Sequence, residues 1–137
     1  MTENKKKGTL ISSALRRADR AFRAGFYLEA ITISDALISN RQRAICGYSA
    51  DNLKLRSGIG DGVRKLKDSG VPFRDESLLE ETKLWASKRN TYIHGLTSLD
   101  EHGASGWRTR ISSAKQVASE GLTLAKRWLA ETNFHRM

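Results

Sequence analysis

Apolar residues recur every three or four positions along most of this chain, the period of a helix that buries one face. From about Thr9 to Ala24, Ile11, Ala14, Leu15, Ala18 and Phe22 make one stripe, and Arg16, Arg20 and Arg23 line the opposite side. Gly25 stands where a helix end favours a left-handed residue. A second helix is predicted from Phe26-Tyr27 to about Cys46, with Ile31, Leu37, Ile38 and Ile45 on its apolar side and Gly47 closing it. The joint between these two is short, so they must lie antiparallel. Asp75-Glu76-Ser77 reads as a third helix start, because acidic residues suit the positive end of the helix dipole. That helix is expected to reach about His94, with Leu78, Leu79, Thr82, Trp85, Ala86, Ile93 and Leu96 as its stripe and Gly95 just past its end. A fourth is predicted from about Trp107 to Thr132. Ile111, Ala114, Ala118, Leu122, Ala125 and Leu129 form its stripe, widened by Val117, Leu124 and Trp128. This should be the most buried helix.

The segments between these helices are less regular. Ser57-Gly58-Ile59-Gly60-Asp61-Gly62 is glycine-rich but lacks the spacing and the Lys-Ser or Lys-Thr pair of a phosphate-binding loop. It reads as a loop leading to a short helix near Gly62 to Lys67. Thr97 to Gly106 reads as a second loop. No convincing strand remains. The expected fold is therefore all-α, an antiparallel four-helix up-down bundle with a short extra helix. It occupies residues 9–137, after a basic flexible tail at residues 1–8.

Charge narrows the function. Lys and Arg number 24 against 15 Asp and Glu, a formal net charge of +9 over 137 residues. Such an excess favours a polyanionic partner, with nucleic acid the commonest. Cys46 is the sole cysteine, which rules out an internal disulfide or a cysteine-based metal cluster. His94, His102 and His135 show no ligand spacing with acidic residues, so no metal and no cofactor is expected. The polar, basic start and the lack of a long apolar run predict no leader and no membrane span, and hence a cytoplasmic setting.

The chemistry concentrates in Arg89-Asn90-Thr91-Tyr92-Ile93-His94-Gly95. At 100° per residue, Trp85, Ala86 and Ile93 all fall within about 60° of Arg89, so an arginine points along the core-facing stripe. An unpaired charge there costs several kcal/mol, so Arg89 needs an acid, a set of carbonyls or a wet cleft. Asp35, between Ile31 and Ile38, is a candidate acid. Asn90 shares a face with His94 and is placed to orient the imidazole or hold a phosphate oxygen. His94 lies about 140° round from Arg89, so two copies of the element in a symmetric dimer serve one phosphate better than a single copy does. Arginine offers a fixed, always-charged fork for phosphate oxygens, and histidine titrates in the range useful for proton transfer. Arg16, Arg20, Arg23 and Lys88 are candidates to track an RNA backbone.

Arg89-Asn90-x3-His94 at the end of a third long helix resembles the HEPN superfamily. The opening of the second helix, Gly25-Phe26-Tyr27-Leu28-Glu29-Ala30-Ile31, is similar to members of that group. The resemblance spans about Leu10 to Leu129. It implies a homodimer whose two Arg-x4-His elements face each other, with Arg89 and His94 as catalytic residues. The implied activity is a metal-independent endoribonuclease that leaves a 2′,3′-cyclic phosphate. Its implied setting is toxin–antitoxin, abortive-infection or other antiviral defence, with an antitoxin or nucleotidyltransferase as partner. One subgroup carries a tyrosine two residues after the histidine. Here that position is Leu96, so regulation by modifying such a tyrosine is not expected. The alternative is a non-catalytic module of the same fold that binds nucleic acid, a nucleotide or a protein.

Overall fold

The computed structural model describes residues 3–49, 55, 58–96 and 103–136, with side chains for 9–49, 55, 58–93 and 111–136. These residues form five helices and, among those described, no strand: α1 (Glu3–Arg23), α2 (Tyr27–Ser49), α3 (Gly58–Asp68), α4 (Leu78–Leu96) and α5 (Gly103–Arg136). The apolar stripes are what packs. Ala18, Ile31, Ile38, Ile45, Leu78, Trp85, Ala118, Ala125 and Trp128 are all almost completely buried. Each large side chain among them contributes about 1.5–3 kcal/mol by leaving water.

A central pair organises the bundle. Ser34 of α2 lies against Gly121 of α5, and Ser49 of α2 hydrogen-bonds His135 of α5, so the two helices climb in parallel. Their contact is the most extensive in the molecule. Close approach requires Gly121, where a Cβ would stand 2.6 Å from the Trp85 ring and 3.3 Å from Ser34 Cβ. α1 runs antiparallel to α2 and packs on both members of the pair. α4 runs antiparallel to α5, tied by hydrogen bonds from Trp85 Nε1 to the Val117 carbonyl (2.8 Å) and from Trp128 Nε1 to Thr82 Oγ1 (2.9 Å). α1 and α4 hardly touch.

Several boundaries differ from those the sequence predicts. α1 begins at Glu3 rather than Thr9, and α5 extends from Gly103 to Arg136. Gly25 does end α1, with φ of +86°. Phe26 N–H reaches the Ala21 carbonyl (2.8 Å) and Gly25 N–H the Phe22 carbonyl (3.1 Å), a Schellman cap. Gly47, by contrast, does not stop α2, which continues to Ser49. A helical glycine costs only about 1 kcal/mol, and the Ser49–His135 contact holds that last turn. α4 likewise passes through Gly95 to Leu96. The glycine-rich run is helical from Gly58 onward, because Gly62 leaves room for the buried Gln42, whose Nε2 donates to the Ile59 carbonyl at 3.0 Å. Ile93 and Ile111, expected in buried stripes, are 42% and 45% exposed. The loop expected at Thr97 to Gly106 lies largely outside the described residues.

Candidate functional site

Trp85 sets the position of Arg89. Its indole is buried between α4 and α5, and its ring lies 5.7 Å from the guanidinium carbon of Arg89 one turn later. Arg89 therefore leaves the core edge over an aromatic face, which attracts a cation. Its side chain is 13% exposed. Arg89 Nη1 lies 2.6 Å from Asp35 Oδ1 on α2, so the acid expected from the sequence is the partner found. The N–H of Nη1 does not point along that line, which makes the contact a one-point ion pair rather than an aligned fork. Arg89 Nη2 donates to Asn90 Oδ1 at 3.1 Å. The Asn90 carbonyl is thus turned to Arg89, and its amide N–H groups remain available as donors. Asp35 is itself 38% exposed, so the pair sits at an edge that water and solutes reach.

His94 falls in the last turn of α4, and its side chain lies outside the described residues. Tyr92, two residues earlier, is part-buried, and burial pushes its phenol above the ordinary range. The surface beside it is apolar, with Phe26, Leu28 and Ile111 around a hollow.

The proposed RNA-tracking side chains are not gathered around Arg89. Arg16, Arg20 and Arg23 are exposed on α1, a helix that hardly touches α4, and Arg23 pairs with Asp19 at 3.0 Å. Lys88 is one residue from Arg89 but faces Glu120 at 3.3 Å. Cys46 is buried, and burial pushes its thiol up, which suits a packing role rather than a nucleophile.

Two polar clusters escape the sequence reading. At one, Arg127 donates to both oxygens of Asp75 (2.7 and 2.8 Å) and pairs with Glu81 at 2.6 Å. Hydrogen bonds from Arg127 hold both carboxyls below their usual range, and those bonds raise the guanidinium pKa. At the other, Ser49 Oγ, His135 and Glu131 form a chain of 2.8 and 2.9 Å contacts. Glu131 also accepts the backbone N–H groups of Arg74 (3.0 Å) and Asp75 (2.8 Å). Residue spacings of 52 and 86 separate the Arg127–Asp75 and Ser49–His135 partners, so no local pattern marks them. The first cluster ties the start of α4 to α5, and the second ties the end of α2 and the segment before α4 to the end of α5, which is a structural task.

Among the described residues no helix is long and apolar enough to cross a membrane, and no group of three or more His, Cys, Asp or Glu is placed to hold a metal. No protein-family model matches the chain, and neither the curated proteins nor the solved structures contain a match.

Proposed function

We propose that this chain is an endoribonuclease of the HEPN type, working as a homodimer in a toxin or defence setting. The observation that carries the reading is the state of Arg89: nearly buried over Trp85, yet tied to an accessible acid by a single misaligned contact. A phosphate accepting two parallel N–H bonds is a better partner for a guanidinium than one carboxylate oxygen. Asp35 then acts as a resting counter-charge that RNA displaces or shares. His94, five residues on, supplies proton transfer.

The reaction needs little more. The 2′-oxygen of RNA attacks the adjacent phosphorus, and its proton passes to a base. The bond to the 5′-oxygen breaks, and that oxygen takes a proton. A 2′,3′-cyclic phosphate and a 5′-hydroxyl result. Arg89 stabilises charge on the phosphorane, and Asn90 offers amide N–H groups to a nonbridging oxygen.

A second reading has one specific support, the Arg89–Asp35 pair itself. If that pair is permanent, the chain is a binding module without catalysis. Labelled single-stranded RNA incubated with the purified protein in EDTA separates the two. Cleavage to cyclic-phosphate ends that drops at least 100-fold in both Arg89→Ala and His94→Ala is the expected result. Cleavage untouched by both substitutions, or intact RNA with the unaltered protein, rejects the nuclease reading.

A further inference from the structure

Three described arginines are part-buried: Arg41, Arg89 and Arg127. Arg89 and Arg127 each lie within 3 Å of a carboxylate. Arg41 has no carboxylate within 4 Å among the described residues. Its guanidinium donates through Nε (3.0 Å) and Nη2 to the side-chain oxygen of its own neighbour Asn40. Burial lowers its pKa, an effect that Tyr48 partly offsets and that the more weakly felt Arg136 at the end of α5 adds to. A part-buried cation whose described partner is a neutral amide is an arrangement that an anion relieves.

The surroundings define the rest of the ligand. Arg41 borders a cavity of about 480 Å³ between the start of α1 and the end of α2. Leu10 and Ile11 form one wall, and Asn40, Arg43 and Tyr48 line the other. Leu10 is 69% exposed and Tyr48 52%, so an apolar side chain and an aromatic ring stand open beside the arginines. A phosphate suits the guanidinium groups, a flat apolar ring suits Tyr48 and Leu10, and Asn40 can still donate its amide N–H groups to ring acceptors.

We propose that the cavity between α1 and α2 is a binding site for a phosphate ester of an aromatic base, held by Arg41 and Arg43 with the base on Tyr48 and Leu10. The ligand is a free nucleotide or one unit of a single strand. The site is separate from Arg89. Arg41 is six residues past Asp35, about 9 Å further along α2 and about 120° round it, on the side that faces α1. The proposal therefore does not rest on ribonuclease activity.

Titration of the full chain with adenosine 5′-monophosphate, and with a short single-stranded DNA that lacks the 2′-hydroxyl, tests it. At least one should bind, and adenosine or inorganic phosphate alone should bind at least 10-fold more weakly. Arg41→Ala should weaken binding at least 10-fold, with Arg41→Lys in between. Exposed Arg43→Ala and Tyr48→Ala, which threaten the fold least, should weaken it several-fold each. Mononucleotide binding identifies a free-nucleotide site, and strand binding alone identifies a stop on a nucleic-acid track. Absence of both, or binding indifferent to Arg41, Arg43 and Tyr48, overturns the proposal.

Discussion

On the proposed reading, the Arg89–Asp35 ion pair is both a structural contact and a gate. Asparagine at position 35 keeps the shape and removes the counter-charge, leaving the guanidinium over Trp85 with no acid beside it. Stability should fall by about 1 kcal/mol, since the pair is partly exposed. RNA binding should become several-fold tighter and more salt-sensitive, because one more cation is free to meet a phosphate. Filter binding across a salt series measures this. Unchanged affinity and an unchanged salt slope in Asp35→Asn would mean that RNA never reaches Arg89. The pair was legible in the sequence for a physical reason. A charge in the middle of an apolar stripe demands compensation, and Asp35 occupied the matching place on α2.

At the level of helices, the stripes on α1, α2 and α5 were legible because burial imposes period, and Gly25 because a left-handed cap has few substitutes. Helix ends were less so. Gly47 looks like a stop and is not one, since the Ser49–His135 contact outweighs the small local cost of glycine. The cavity at Arg41 left no trace in the pattern, because it depends on which arginines lack acids in three dimensions. Gly121 is a further case: mid-helix in sequence, it reads as a weak point, whereas the structure needs its missing side chain. Alanine there should cost about 1–3 kcal/mol, despite its better helix propensity, as Trp85 has no room to retreat. Chemical denaturation measures the loss, and a Gly121→Ala protein as stable as the original would show that α4 and α5 can separate freely.

The molecule as a whole should carry an acid weakness centred on Arg127. Asp75 and Glu81 have folded pKa values below their usual ones because Arg127 hydrogen-bonds them. A depressed carboxyl contributes stability above its unfolded pKa, about 3.9 for Asp and 4.3 for Glu, and that contribution disappears as pH drops through the folded value. Arg127→Ala should therefore be less stable than the unaltered chain at neutral pH, and the gap should close below about pH 4. Denaturation midpoints at pH 7, 5 and 3 would measure it. A gap that stays constant to pH 3 would place the contribution of Arg127 in packing instead of charge.

The parallel course of α2 and α5 has a consequence for how the chain acquires its shape. Its longest seam joins residues near 34 to residues near 121, with three-fifths of the chain strung between them. Consecutive helices can pair early, but the interior stays open until α5 docks. During synthesis the protein must therefore remain without its finished interior until nearly all of these residues have left the ribosome, and with it without the platform on which Trp85 and Arg89 are mounted.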